Sequence, residues 1–384
     1  MFEVSNFHFS VGTANEMYFC FFMRSTFIQS PASVEPALRS EATNGSLTAS
    51  FSKKPGIFLI LLFFCYSSFS QTDSTSSKNN AANSDSQTHD PKVIPHDYLT
   101  KQQKTKRQIF IGAVNILGYG GSLAILSNTW YRNYPKTSFH TFNDAGEWNQ
   151  MDKFGHGWTA YNTGRLSAAM WNWAGLSPKA STWIGGLSGT LYLTVIEILD
   201  GHSAEWGFSW GDMTANVIGS GIFISQQLLW KEQRIQYKFS FHHKDYGDSA
   251  LNARADDLFG SAWYERMLKD YNAQTYWFSV NLKSFFRDSR LPAWLNISVG
   301  YGADGMLGGF ENKWVDNDTG QPVDRTDIPR IRQFYLAPDI DFTKIKTNKK
   351  WLRTVFFCLN AFKCPAPALM IDSKGKFKAY AIYF

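Results

Sequence analysis

Six polar residues of this chain stand at the ends of apolar stretches, at spacings that can turn them toward one another. Asp152 and His156 are four apart and share one face of a helix. Glu197 and Asp200 close a later apolar stretch, with His202 and Glu205 just beyond. Asp212 and Asn216, again four apart, open the next. If these stretches are helices running antiparallel in sequence order, Asp152, His156, Glu197, Asp200, Asp212 and Asn216 converge at one level. Polar side chains that are expensive to bury face a bundle interior and pair there. Three chemistries fit the set. Asp152 and Asp212 can cap helix starts and offset the dipole while His156 pairs with Glu197. The acids and His156 can bind a divalent metal, since imidazole and carboxylate accept Zn²⁺ or Mn²⁺. Asp152 or Glu197 can act as a general base on an envelope substrate, with His156 assisting.

Other candidates are less directed. Arg165 lies mid-helix, two to three turns from His156, where an arginine satisfies carbonyls, pairs with an acid or binds a substrate. Trp206 belongs to a group with Trp158, Trp171, Trp173 and Trp210 near helix ends, which suits interfacial anchoring or a lipid- or sugar-binding platform. Gly300-Tyr301-Gly302-Ala303-Asp304-Gly305 follows a strand, but no helix start with Lys, Ser or Thr comes after it, so it is not a phosphate loop. The chain has no Gly-x-Ser-x-Gly elbow.

The elements that must position these residues are legible as four stretches: Ile109–Trp130, Met151–Trp173, Ala180–Leu199 and Gly211–Trp230. Each is about as long as a helix that crosses a hydrocarbon core. Gly185, Gly186, Gly189, Gly219 and Gly221 suit close helix approach. Gly175 and Pro178 mark a short turn between antiparallel neighbours. Beyond Trp230 the texture changes to alternation. Ile235, Tyr237, Phe239 and Phe241 share one face, as do Leu295, Ile297, Val299 and Tyr301. Thr275–Leu282, Ile331–Phe342 and Lys376–Phe384 read as further strands, and Asp256–Asp270 and Lys349–Phe362 as helices. The expected fold is α+β: an apolar four-helix bundle over 107–231, of a length that permits membrane crossing, then a mixed strand and helix region over 232–384. The last strand is expected to close a small sheet and to tuck Phe384 into a core. Only about five candidate strands are visible, fewer than a membrane barrel needs.

Ahead of the bundle, residues 53–70 carry a basic start, a short apolar run and small residues, the order of a signal peptide cleaved before Gln71. Residues 1–52 precede it and read as a gene-model extension. Cys65 offers a lipidation site, although Phe63-Phe64 makes a poor lipobox. Residues 71–106 are polar and lack the apolar surface to offset ordering entropy, so they read as a disordered linker. Composition agrees with an envelope address. Charged residues make up 18% of the chain and aromatics 16%, against about 25% charged in typical soluble domains. A net charge of +6 without a dense basic stripe argues against nucleic acid and suits contact with membrane or envelope lipids. Cys358 and Cys364 lack the spacing of a metal site and read as free thiols.

Several of these motifs resemble a known family. Met151-Asp152-Lys153-Phe154-Gly155-His156, Val195-Ile196-Glu197-Ile198-Leu199-Asp200-Gly201, Ser203-Ala204-Glu205-Trp206-Gly207 and Ser209-Trp210-Gly211-Asp212-Met213-Thr214-Ala215-Asn216 look like the YfiM-like predicted periplasmic lipoproteins, in particular their longer Bacteroidetes members. The order Asp-Lys-x-x-His, Glu, Asp-x-x-x-Asn in the bundle is also similar to VanZ-like membrane proteins. The resemblance implies an exported, periplasm-facing protein at the inner or outer membrane and supplies no reaction. The function expected is to hold or shield envelope lipid or peptidoglycan components. The alternative is an envelope-lipid hydrolase or transferase built on the Asp/His/Glu group, with or without a metal.

Overall fold

The computed structural model describes residues 99–129, 135–204, 206–316 and 319–384. The signal-peptide and extension readings, Cys20, Cys65, residues 71–98 of the linker and Glu205 lie outside the described residues. The fold is mixed helix and strand, with an antiparallel sheet in the C-terminal region.

Helix α1 spans Lys101–Thr129 and begins inside the stretch read as linker. Helices α2 (Met151–Trp173), α3 (Pro178–Asp200) and α4 (Trp210–Leu229) follow close to the expected bounds. Helix α3 starts where it does because Ser177 accepts the Ala180 amide and Pro178 occupies the first turn, where no amide donor is needed. Helix α4 is capped by Ser209, whose hydroxyl accepts the Asp212 amide at 3.0 Å. Helices α2, α3 and α4 pack on one another, and α1 lies along them through Ile111, which is buried with Met170 and Ala174.

Small residues set the spacing. A Cβ on Gly219 would stand 2.1 Å from the Gly157 carbonyl oxygen, and one on Gly185 would stand 2.2 Å from the Ala168 amide nitrogen. Backbone thus meets backbone across α2–α4 and α2–α3, as expected for Gly185, Gly186, Gly189 and Gly219. Gly221 differs: it faces open space and plays no part in that approach.

The C-terminal region holds six strands in the order β1-β2-β3-β6-β7-β8, all antiparallel: β1 (Ile235–Phe241), β2 (Gln274–Asn281), β3 (Leu295–Asp304), β6 (Ile331–Ile340), β7 (Ala366–Asp372) and β8 (Phe377–Tyr383). A short hairpin, β4 (Lys313–Val315) with β5 (Pro322–Asp324), stands apart. Helices α5 (Ser249–Phe259), α6 (Trp263–Lys269), α7 (Leu282–Phe285) and α8 (Lys350–Leu359) fill the connections. Strand β7, which contains Pro367, is additional to the expected strands. The β7–β8 register does shift between Ala366 and Ala368.

The sheet curls until its edges approach. Phe239 of β1 exchanges backbone hydrogen bonds of 3.0 and 2.9 Å with Ala361 and Lys363, just ahead of β7. The Tyr383 hydroxyl of β8 lies 2.9 Å from that of Thr275 on β2. Among the described residues no ladder joins β8 to β1, so the curl stops short of a closed barrel. Tyr383 is the terminal aromatic that turns inward. Phe384, expected in a core, is 42% exposed.

The two faces of this sheet are the reverse of a soluble sheet. Tyr237, Phe239 and Tyr276 do pack against α2. On β3 and β6, however, the apolar set is outside: Val299 is 53% and Leu336 48% exposed, while Asn296 and Ser298 are fully buried. Inside the curl an aromatic cluster of Trp277, Tyr335 and Tyr383 with Met370 lies beside buried polar and charged groups. Lys238 is buried against Asp339 at 2.8 Å and donates to the Ile340 carbonyl at 2.7 Å. Lys363 donates to the carbonyls of Pro338 and Cys364. Gln236 donates to Asp341 at 2.6 Å.

Candidate functional site

Three helix ends meet where the sequence pattern placed them. The start of α2 brings Asp152, Lys153 and His156, the end of α3 brings Glu197, and the start of α4 brings Asp212 and Asn216. His156 Nε2 lies 3.9 Å from Asp152 Oδ1 and 3.7 Å from Glu197 Oε1. Its Nδ1 lies 3.1 Å from Asn216 Oδ1. Glu197, Asp212 and Asn216 are buried; Asp152 and His156 keep a partly open side.

Residues without an assigned role in the sequence reading complete the group. Lys153 bridges the carboxylates: it donates to Asp144 in a short contact, lies 2.9 Å from Asp212 Oδ1 and 3.4 Å from Asp152 Oδ2. Ser209 donates its amide to Glu197 Oε2 at 3.1 Å and its hydroxyl to Asp144 Oδ1 at 2.6 Å. Tyr271, just ahead of β2, donates to Asp152 Oδ1 at 2.7 Å. Lys153 stands inside the Asp-Lys-x-x-His motif and Ser209 three residues before Asp212, so spacing could have found both. Nothing in the sequence marks Tyr271 or Asp144, which arrive from other segments.

The remaining candidates separate. Asp200 sits one turn beyond Glu197, close enough for its charge to raise the Glu197 carboxyl. Trp206 offers its backbone carbonyl 2.6 Å from His140 Nε2. Arg165 is not drawn into the acid/histidine group. It donates to the Phe357 carbonyl at 2.8 Å and stacks over the Phe357 ring of α8.

The chain enters α2 through an unusual turn. Trp148, Asn149 and Gln150 have φ of 47°, 50° and 65°, a left-handed run that costs L-residues roughly 1–2 kcal/mol each. Contacts from the sheet side hold it. The Trp148 amide donates to the Gly309 carbonyl, the Tyr301 hydroxyl to the Asn149 carbonyl, and Arg332 to Gln150 Oε1. Such strain persists where surrounding structure over-determines it, commonly at functional sites.

The electrostatics follow from burial. Loss of water, with Asp152 nearby, pushes the Asp212 carboxyl up to about 8 despite Lys153 and His156. Burial likewise raises Glu197 to about 7, opposed by His156 and the Ser209 amide. Against the same burial cost, His156 and Lys153 hold Asp152 below the usual carboxylate range. The acids Asp152, Asp212 and Glu197 overcome desolvation to raise His156. Groups able to carry or release a proton near neutrality therefore sit in contact. Asp152, His156 and Asp212 each offer a ligand atom within 4.8 Å of the others, so these three could hold a metal.

Fold and site together define an α+β architecture: packed helices with a largely buried acid/histidine group at one end, bound to a curled antiparallel sheet. The family described as Predicted periplasmic lipoprotein (DUF2279) matches over residues 141–226. That stretch runs from ahead of α2 into α4 and carries every member of the group except Tyr271. The match supports an exported, periplasm-facing envelope protein. No curated protein and no solved structure matches the chain.

Proposed function

We propose that the protein is a membrane-associated envelope protein that holds or shields envelope lipid or peptidoglycan components. The observation that carries this reading is the outer face of α3. Its exposed residues between 180 and 199 are Trp183, Ile184, Leu187, Leu191, Val195 and Ile198, all apolar. From Trp183 to Ile198 this face is about 22 Å long. Glu197, the one charged residue in that interval, is turned inward and buried. Helix α4 continues the pattern with Trp210, Val217, Ile218 and Leu229 exposed. Among the described helices, α3 is the one long and apolar enough to cross a membrane by length and composition. At the other end of the layer Lys101, Lys104, Lys106, Arg107 and Lys179 gather near the start of α1 and α3, a basic collar suited to anionic headgroups.

Water contact with each half-exposed side chain costs on the order of 1 kcal/mol relative to an apolar neighbour. Lipid removes that cost. The test is flotation of the purified full chain with vesicles of neutral and anionic phospholipid. The chain should float with both and more strongly with the anionic ones. Leu187→Glu with Leu191→Glu should abolish flotation while the far-ultraviolet circular dichroism is unchanged. A chain that stays at the bottom of the gradient with either vesicle overturns the reading.

A second reading, an envelope-lipid hydrolase or transferase, rests on the near-neutral Glu197 carboxyl beside His156. In that case Glu197→Gln removes turnover of an envelope-lipid substrate and leaves flotation intact.

A further inference from the structure

The acid/histidine group has more buried negative charge than its own cations answer. Asp144, Asp152, Glu197 and Asp212 surround one lysine, Lys153, and one imidazole, His156. Buried carboxylates without an opposite partner are costly, so such a group either keeps protons or takes up a cation.

The orientation of His156 shows where one would sit. Nδ1 faces Asn216 Oδ1 at 3.1 Å, and a carboxamide oxygen only accepts, so Nδ1 carries the hydrogen. The other ring nitrogen, Nε2, is thereby turned toward Asp152 Oδ1 and Glu197 Oε1. At 3.9 and 3.7 Å these pairs are too long for hydrogen bonds. Carboxylate oxygens gathered about Nε2 call for positive charge between them, supplied by a proton on Nε2 or by a metal ion in its place. Ligand atoms held about 2.0–2.2 Å from one ion stand roughly 3–3.5 Å apart, so the Asp152, His156 and Asp212 atoms, now within 4.8 Å of one another, would draw together around it. A metal-binding histidine is also commonly fixed through a hydrogen bond from its other nitrogen, the role Asn216 plays.

A separate feature points the same way. Asn216 is fully buried, yet its Nδ2 has no hydrogen-bond acceptor. Asp212 Oδ1 is likewise buried without a hydrogen bond and relies on its ion pair with Lys153. Buried polar atoms are nearly always satisfied, so these two leave the group with bonding capacity unused.

We propose that Asp152, His156 and Asp212 bind a divalent transition-metal cation, with Glu197 as the adjoining carboxylate and Asn216 as the residue that orients His156. One imidazole with carboxylates suits Zn²⁺ or Mn²⁺; the nitrogen ligand disfavours Ca²⁺ and Mg²⁺. Lys153 and Ser209 occupy the carboxylate oxygens that face away from Nε2, Asp152 Oδ2 and Glu197 Oε2 among them, and so hold the remaining oxygens in place. This inference is independent of the lipid-facing reading of α3.

The experiment titrates the chelator-stripped full chain with Zn²⁺, Mn²⁺ and Ca²⁺ separately, by calorimetry and by elemental analysis after gel filtration. The unaltered protein should retain one equivalent of Zn²⁺ or Mn²⁺, bind Ca²⁺ at least tenfold more weakly, and melt at a higher temperature when loaded. His156→Gln should lower affinity a hundredfold or more, and Asn216→Ala, which removes the orienting contact, ten- to a hundredfold. Glu232→Gln, in an ion pair with Arg234 and Lys344, should leave affinity unchanged. If His156→Gln does not fold, Asp152→Asn reads the same loss. No retained Zn²⁺ or Mn²⁺, or equal retention by the unaltered chain and these ligand variants, overturns the proposal.

Discussion

The helix-end group and the interior of the curled sheet both bury charge, and they do so in opposite ways. Inside the sheet Lys238 and Lys363 both face Asp339, and Asp341 accepts hydrogen bonds from Gln236 and Thr343. Asp339 is answered on every side, by Lys238, by the Ser279 hydroxyl at 2.6 Å and by the Cys364 amide at 3.0 Å. At the helix ends four carboxylates share Lys153 and His156, and buried atoms of Asp212 and Asn216 lack hydrogen bonds. A balanced, hydrogen-bonded network holds a fold together. An unbalanced one has capacity left for a ligand or a proton. That difference in charge balance is why the helix-end group is the candidate site and the more deeply buried sheet interior is not.

The largest effect that would break this contrast is expected inside the sheet. Removing one member of a buried, satisfied pair strands its partner and costs about 3–5 kcal/mol. Lys238→Met should therefore lower the urea midpoint sharply, by most of the stability of an ordinary domain. A near-neutral Lys238→Met would show that the network is dispensable and that the contrast is misdrawn.

Next comes the packing that brings the helix ends together. Gly219→Val puts a side chain into the Gly157 carbonyl and should cost about 1–3 kcal/mol through strain and displacement of α4. Because Asp212 and Asn216 ride on α4, the same variant should also weaken retention of Zn²⁺ or Mn²⁺. Gly221→Val, in open space, should melt within about 0.5 kcal/mol of the unaltered protein. Equal melting of the two variants would remove the close-approach argument.

The pH dependence sharpens the comparison from the other side. Asp212 and Glu197 hold protons in the folded state, to about 8 and about 7, whereas unfolded carboxylates lose them near 4. Between those values the folded chain binds more protons than the unfolded one, so stability falls as pH rises. With chelator present, melting temperature should decline from pH 5 to pH 8.5. Asp212→Asn, which keeps the neutral form, should flatten the decline and stabilise the protein at the upper end by on the order of 1 kcal/mol or more. A melting temperature that climbs over that interval would contradict the protonated assignment.

The smallest effect lies where the two regions touch. Tyr271→Phe removes the hydroxyl that Asp152 accepts from the sheet side and should cost about 0.5–1.5 kcal/mol. If the site depends on the sheet, metal affinity should fall along with stability in that variant; an unchanged affinity would make the helices sufficient by themselves.

The sequence by itself determined the helices and the gathering of their polar ends. An apolar stripe of helical length, a Ser or Pro at its start and pairs of polar residues four apart are local properties, and antiparallel order follows from short connections. Those facts brought Asp152, His156, Glu197, Asp212 and Asn216 to one level and, Gly221 excepted, indicated the glycines at the close helix approach. Only the tertiary structure decided which face of the sheet meets the interior. Alternation along β3 separates Asn296 and Ser298 from Ile297 and Val299, but a period of two says nothing about which set faces out. Curling supplied the answer: it enclosed Lys238 and Lys363 together with Trp277 and Tyr335, and left Ile297 and Val299 of β3 outside. Tyr271, Asp144 and the separate place of Arg165 depended likewise on contacts between distant segments, and local spacing carries no trace of those.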